Sequence, residues 1–412
     1  MINALRGMKD MFSPESEKYL YFVENCSKIA KNYGFTYINT PILEETALFK
    51  RSVGESSDIV GKEMYQFIDK GDNNVCMRPE GTAGVVRAFI QAKMDKAGTI
   101  QKFFYYGPMF RYERPQKGRL RQFHQFGVES FGVSDVREDA TIILMLSEIL
   151  NFFGIKSTLK LNTLGDSNCM PAYRQKLVKF LDTLEGLCED CMRRKTTNPI
   201  RVLDCKNENC QRLLNNAPLL IDNLCVTCKG EFETLKSILT KFGIKFEVDP
   251  KLVRGLDYYS KTAFEFVSDE IGAQGSIAGG GRYDKLVEYL DGKPTAGIGF
   301  AIGIERLMDL IVMPESKRKG FYIGALSESA EELTFELASK LRIYKKAYTQ
   351  FEYSAKSFKA HLKNADKMNA KYFICLGDDE LKENSELIIK DLETKEEKRV
   401  AKKSFLESIT NG

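Results

Sequence analysis

Apolar residues recur along this chain at different intervals, and the interval sets the element each run can form. From Leu20 they fall at Val23, Cys26, Ala30 and Tyr33, the spacing of one helix face. Ser13-Pro14 ahead of this run reads as an N-cap and a first-turn proline, and Gly34 as the stop. Phe35 to Pro41 reads as a short strand. Lys102 to Glu113 and Gln122 to Gly132 alternate with period two and predict an antiparallel pair. Asp139 to Phe153 returns to helical spacing and closes on Gly154. Strand-like runs follow at Thr158 to Asn162 and Ala263 to Val267, and Gly297 to Leu310 reads as a Gly-rich strand entering a helix. Pro314 to Gly320 is a charged linker with breakers. Beyond it come a strand (Phe321 to Leu326), two helices (Ala330 to Tyr344, Ser357 to Met368) and two strands (Tyr372 to Leu376, Glu386 to Asp391). That alternation predicts a small, separate α/β domain.

The antiparallel pair carries more than a core pattern. Arg111 and Glu113 fall on one face, Phe110 and Tyr112 on the other. On the returning strand Phe123, Gln125 and Glu129 share a face, with His124, Phe126 and Val128 opposite. Folded together, these put a cation, two carboxylates, an amide and a flat ring on one surface, a platform for a small charged ligand. Arg111 there suits a phosphate through a bidentate fork. An ion pair with Glu113 is the plainer reading, but Arg114, Lys117, Arg119 and Arg121 crowd the intervening loop and favour polyphosphate or an RNA end. Phe123 suits a nucleobase face.

Composition narrows the chemistry. A length of 412 residues calls for two or three domains, and 43% hydrophobic with 29% charged residues describes a soluble globular protein. No apolar window is long enough to cross a bilayer, and Met1 to Asp10 carries no apolar signal segment. The expectation is a cytoplasmic protein with no membrane partner. A formal charge of +4 gives no global basic field, so a polyanion must be met by local patches. The two histidines, His124 and His361, leave little room for a Ser-His-Asp relay or a His-rich metal site. His124 alternates onto the buried face and reads as structural. Six of the ten cysteines lie between Cys188 and Cys228, including Cys188-x-x-Cys191 and Cys225-x-x-Cys228. Two such pairs mark a zinc-ribbon-type site, although their gap exceeds the usual ribbon spacing. The expectation is one structural Zn²⁺ on Cys188, Cys191, Cys225 and Cys228, against free thiols in a reducing cytosol.

Other segments offer chemistry beside a plainer role. Met77-Arg78-Pro79-Glu80-Gly81-Thr82 is a turn entering a helix, where Glu80 and Thr82 can cap and also receive a ligand ammonium. In Arg254-Gly255-Leu256-Asp257-Tyr258-Tyr259 the cation, the carboxylate and two phenols can line a polar pocket, or form a β-turn with surface tyrosines. Gly279-Gly280-Gly281-Arg282 lacks the Gly-Lys-Ser/Thr of a P-loop, and Gly297-x-Gly299-x-x-x-Gly303 misses the dinucleotide fingerprint by one residue. Those glycines suit the approach of a strand and helix to a nucleotide, with Arg306 reaching the phosphates. Lys356, Lys359, Lys363 and Lys367 share a helix face, a solvated surface before a phosphate contact.

Together these segments resemble the histidyl-tRNA synthetases, a class II aminoacyl-tRNA synthetase family, over essentially the whole chain. Arg6-Gly7-Met8-Lys9-Asp10 and Phe35 to Pro41 are similar to the N-terminal segment and the first class motif, Phe110 to Glu129 to the second, and Gly297 to Leu307 to the third. Arg254 to Tyr259 and Ala278-Gly279-Gly280-Gly281-Arg282-Tyr283-Asp284 match the histidine-specific segments. The resemblance implies an α+β fold. A six- or seven-stranded antiparallel sheet flanked by helices would occupy residues 1–164 and 242–316, with a Cys-rich helical insertion at 165–241 and an α/β anticodon-binding domain at 321–412. It implies a homodimer that activates L-histidine with ATP and Mg²⁺ and passes it to histidine tRNA. Carried onto this chain, Arg111 binds the α-phosphate and the amino-acid carboxylate, while Glu113 and Phe123 hold adenine. Arg119, Arg121 and Arg306 hold the outer phosphates. Glu80, Gly81, Thr82 and Gln125 receive the ammonium. Glu129 and Tyr259 meet the imidazole nitrogens beside Tyr258, and Arg254 faces Arg111 across the phosphate. Zinc is not a fixed feature of the family and is not carried over. The alternative is a non-catalytic paralogue that regulates histidine biosynthesis. Such paralogues usually lack the C-terminal domain and erode the histidine-specific segments, and both are present here.

Overall fold

The alternating pair forms as Gln101–Phe110 and Gln122–Phe131, in register from Gln101 opposite Phe131 to Phe110 opposite Gln122. The computed structural model describes residues 2–54, 57, 59–115, 118–254, 256, 258–271 and 275–410. Among these, eight strands make one sheet. Its order is Thr36–Tyr37, Gln101–Phe110, Gln122–Phe131, Gly297–Gly303, Ser276–Arg282, Ser260–Val267, Thr158–Thr163 and Phe246–Val248. The six inner strands run antiparallel; the short strand at each edge runs parallel to its neighbour. The sheet and its helices are the α+β fold the resemblance implies, widened by the two parallel edges.

Alternation decides which face is core. Phe104, Phe126, Val128 and Phe300 share one apolar cluster with Phe22, Cys26, Ile142, Ile143 and Leu146, from the helices Glu15–Asn32 and Val136–Phe152. Each such side chain, fully buried, contributes about 1.5–3 kcal/mol. The helices therefore cover one face and leave the other to Phe123, Gln125 and Glu129.

Some sequence expectations shift. The first helix begins at Glu15 with Pro14 at its cap position, and the Ser13 hydroxyl donates to Glu17 at 3.0 Å instead of capping the backbone. Its buried stripe is Phe22, Val23, Cys26, Ile29 and Ala30, and Leu20 is exposed. Gly34, at φ +81°, ends it as expected. The run from Phe35 to Pro41 keeps only Thr36–Tyr37 as strand, because it is an edge with one neighbour. Ser276–Arg282 is a strand that its three glycines hid, since glycine counts against strand propensity.

Between Thr163 and Phe246 the chain leaves the sheet through the helices Met170–Asp182, Glu189–Thr197, Glu208–Leu213 and Val226–Lys241. The chain divides into two compact units, Met1–Val312 and Met313–Gly412. The second has a five-stranded sheet, ordered Thr349–Phe351, Lys319–Ala325, Ala370–Leu376, Glu386–Asp391 and Glu397–Ala401. Its first three strands are parallel and the last two antiparallel, packed with the helix Glu331–Lys345 around Ile323, Leu337 and Ile374. Among the described residues no helix is long and apolar enough to cross a membrane.

Candidate active site

The open face of the large sheet carries a cleft of about 240 Å³. Of the residues singled out in the sequence, Glu80, Thr82, Arg111, Glu113, Arg119, Phe123, Gln125, Glu129, Arg254, Tyr258, Tyr259 and Arg306 all line it. Gly255 and Asp257 of the histidine-specific segment, and Lys117 of the basic loop, lie outside the described residues.

One end is acidic and phenolic. Glu129, 1% exposed, accepts from the Thr82 hydroxyl at 2.7 Å and the Tyr105 hydroxyl at 3.2 Å on Oε1, and from the Tyr283 hydroxyl on Oε2. A carboxylate offers about four lone pairs, so one remains for a ligand donor. Burial, against these hydrogen bonds, pushes the Glu129 carboxyl up to about 8. Glu80 accepts from the Thr82 and Ala83 amides at 2.6 and 2.9 Å, capping the helix Thr82–Gln91, and burial raises its carboxyl as well. Capping and a place in the cleft thus coexist in one side chain. The Gln125 Oε1 is buried with no hydrogen-bond partner among the described residues. Such an orphan acceptor is costly unless a ligand completes it.

The other end is cationic. The strand stops at Phe110, so Arg111 and Glu113 sit on the loop beyond it, yet both still face the cleft. Arg111 Nε donates to the Pro79 carbonyl at 2.9 Å, and its guanidinium lies 5.2 Å from the Phe123 ring centre. Arg119 stands 3.3 Å from Glu113. Arg306 donates to the carbonyls of Gly118 at 3.0 Å and Ser276 at 2.9 Å. Burial, then the neighbouring Arg119 cation, lowers the Arg306 guanidinium, as expected where like charges await an anion. Arg254 is 3.3 Å from Glu265, and its Nε has no partner among the described residues. Burial opposes its charge, but the Tyr259 and Glu265 groups beside it hold the net shift upward.

Three expectations change. Arg121 does not line the cleft; its guanidinium stacks 3.8 Å above the Tyr112 ring and its Nε donates to the Glu113 carbonyl, which shapes the loop. Gly81 does not line it either, because the Tyr105 ring fills the place its Cβ would take, 2.1 Å away. The strand glycines also have a different use. A Cβ on Gly279 would meet Arg254 at 2.5 Å, and one on Gly299 would meet Glu129 at 2.0 Å. They make room for the site's own side chains. Arg282, in the same segment, is buried against Asp139 behind the cleft and is a structural anchor.

Sequence reasoning gave no role to Tyr105, Tyr283 or Glu265. The signal for Tyr105 was its register opposite Gly127, a large ring facing a residue with no side chain. His124 keeps its structural reading: its backbone N–H donates to Glu305 at 2.9 Å, its ring contacts the same carboxylate at 2.7 Å, and Tyr19 meets it edge-on.

The single ribbon site is not formed. Cys188 and Cys191 gather with Cys205 and Cys210, whereas Cys225 and Cys228 gather with Cys169 and Asp166. The span between the two pairs is long enough to fold back on itself, so each pair finds nearer partners than the other pair.

A largely antiparallel sheet whose open face carries a cleft lined by cations and buried carboxylates is the frame of a class II synthetase. The family model "Histidyl-tRNA synthetase" matches residues 7–307, and "Anticodon binding domain" matches residues 310–411. A histidine–tRNA ligase of Sulfurimonas denitrificans is 60% identical over 406 residues, 98% of this chain and 100% of the relative. One of a Sulfurovum species is 62% identical over 401 residues, 97% of this chain and 99% of the relative. The crystal structure of apo S. aureus histidyl-tRNA synthetase is 35% identical with a TM-score of 0.83, over 99% of this chain and 100% of that one. The chain belongs to the histidyl-tRNA synthetase family.

Proposed function

We propose that this chain is a histidine–tRNA ligase. The observation that carries the reading is one cleft lined by two sets of side chains: buried Glu80 and Glu129 with Tyr258 and Tyr259, and the cations Arg111, Arg119 and Arg306, with Arg254 beside Tyr259. An amino acid with a basic ring and a nucleoside triphosphate fit end to end in such a space. ATP would enter as its magnesium salt, the metal supplying positive charge at the departing pyrophosphate; Glu113 and Glu305 are carboxylates that line the cleft.

In the first step a carboxylate oxygen of L-histidine attacks the α-phosphorus of ATP, and the bond to pyrophosphate breaks. The carboxylate is already ionised, so no general base is needed; positioning and charge stabilisation do the work. Arg111 binds the α-phosphate and the substrate carboxylate, Arg254 stabilises charge on the five-coordinate phosphorus, and Arg119 and Arg306 hold the departing phosphates. Phe123 and Glu113 hold adenine. Glu80, Thr82 and Gln125 receive the ammonium, while Glu129 and Tyr259 bond the two ring nitrogens beside Tyr258. An apolar isostere would leave these groups unpaired, which gives strong rejection. In the second step a hydroxyl of the terminal adenosine of histidine tRNA attacks the carbonyl carbon, and AMP leaves. The unit Met313–Gly412 is the part that binds the anticodon, within a cytoplasmic homodimer.

Pyrophosphate exchange into ATP, run with each standard amino acid separately, tests this. Exchange with histidine alone supports it. A folded protein that binds histidine but exchanges with no amino acid would be the regulatory paralogue instead.

A further inference from the structure

Seven of the ten cysteines stand in two separate clusters of the helical segment between Thr163 and Phe246, outside the active-site cleft. We infer that this segment holds two structural zinc ions, one on Cys188, Cys191, Cys205 and Cys210, and one on Asp166, Cys169, Cys225 and Cys228. Within each set the four donor atoms lie within 4.8 Å of one another.

In the first set Cys188 Sγ and Cys205 Sγ are 3.8 Å apart. Sulfurs about 2.3 Å from a tetrahedral zinc stand roughly 3.8 Å from each other, whereas a disulfide needs about 2.05 Å. Backbone amides aim at these sulfurs: Cys188 N–H to Cys210 Sγ at 3.2 Å, and Asn207 N–H to Cys205 Sγ at 3.4 Å. Amide donors favour thiolate, the form that binds metal. The second set repeats the arrangement. Cys225 N–H donates to Cys169 Sγ at 3.1 Å, and Cys228 N–H to Cys225 Sγ at 3.4 Å. Asp166 is held in its turn by the amides of Asn168 and Cys169, at 2.9 and 3.2 Å. Each set supplies four protein donors and leaves no open position, the closed form of a structural site. Sulfur-rich tetrahedral sets select zinc over oxygen-loving cations.

The local fold explains why metal would be wanted. This segment is built from short pieces such as Glu189–Thr197 and Glu208–Leu213. In its apolar cluster, five of the sixteen buried residues are cysteines, standing among leucines such as Leu177, Leu181 and Leu214. A metal at those thiols would tie the short pieces to this cluster, as structural sites do in small folds. The second site also touches catalysis. Beside Asp166, the Gly165 carbonyl accepts from Lys261 N–H at 2.7 Å, and Leu164 N–H donates to the Lys261 carbonyl at 2.6 Å. That pairing anchors the strand Ser260–Val267 directly after Tyr258 and Tyr259. On binding, each zinc displaces the thiol protons of its own cysteines, four at the first site and three at the second.

Metal analysis of the full-length purified protein tests the assignment. Two equivalents of zinc are expected, falling to one in C191S/C210S and to one in C225S/C228S. X-ray absorption of the unaltered protein should give between three and four sulfur neighbours per zinc, a readout that survives if the variants do not fold. Cobalt exchanged into the unaltered protein should show the charge-transfer and visible bands of tetrahedral thiolate. Zinc below about one-tenth of an equivalent in the folded protein overturns the inference. So does a single equivalent lost in both variants, as does iron in place of zinc.

Discussion

The active-site cleft and the cysteine-bearing segment beside it solve opposite problems with polar side chains. In the cleft, donors and acceptors are left incomplete: Gln125 Oε1 and Arg254 Nε have no partner among the described residues, and Arg306 sits among other cations. In the helical segment each cluster closes upon itself, with four donor atoms converging within 4.8 Å. Incomplete polar groups on a rigid sheet mark where a substrate completes the structure. Closed sets mark where an ion completes the fold.

The largest expected effect breaks the second region alone. Structural thiolate–zinc sites bind with about 10–16 kcal/mol of free energy, all of it available to folding. Stripping the metals with a chelator should open the amides from Glu189 to Leu213 to hydrogen exchange. The strand Gln122–Phe131, central in the large sheet, should keep its protection. If both open together, the segment is not an independent element. If neither opens, packing and not metal holds it. Loss of the second site should also raise the KM for histidine through Lys261, whereas loss of the first should not.

The next effects sharpen the cleft's division into two ends. Arg254→Ala removes a cation aimed at developing phosphate charge and should slow histidyl-adenylate formation about 10²–10³-fold in a single-turnover assay. Histidine and ATP binding by calorimetry should stay within a few-fold. Weaker binding with an unchanged chemical step would remove Arg254 from the transition state. Glu129→Gln should act at the other end, since bonds to charged groups are worth about 1.5–3 kcal/mol, or roughly 10–150-fold. That loss belongs in histidine affinity and not in ATP affinity. An equal loss in both would mean that Glu129 holds the sheet together instead of the ligand.

The same contrast decides what could be read from the chain. The cleft residues lie in contiguous segments whose alternation fixes their face, so Arg111, Phe123, Gln125 and Glu129 could be placed together before folding. The supporting tyrosines were harder. Tyr105 and Tyr283 matter only through a carboxylate on another strand, and no local pattern points across a sheet. Glycine in Ser276–Arg282 hid a strand, since the reason for it is the Arg254 side chain lying on Gly279. Arg121 was given the outer phosphates by resemblance, whereas its place against Tyr112 follows from how the basic loop itself folds. In the cysteine segment, two Cys-x-x-Cys pairs were visible, but which thiols meet depends on helix packing. Cys169 lies more than fifty residues before the pair it joins, beyond the reach of any spacing rule.

The smallest effect is the release of at most one proton, and it tests the carboxylate end most directly. Glu129 is held at about 8 by burial, above its ordinary value of 4.5. Below about 4.5 the group is protonated folded or unfolded and contributes nothing to pH dependence. Between 4.5 and 8 the unfolded chain ionises first, so this group makes the fold less stable as pH rises, and the loss levels off above about 8. Histidine binding should reverse that strain. A neutral imidazole that donates its N–H to Glu129 favours the carboxylate, so the carboxyl must release its proton. Calorimetric titration of histidine at pH 7, in buffers of different ionisation enthalpy, should give release approaching one proton. The release should fade above about pH 9, where the free protein has already lost that proton. No release at pH 7 would mean that the proton passes to the ligand and histidine binds as imidazolium. The pairing of Glu129 with a neutral ring would then fall, while its place in the cleft would stand.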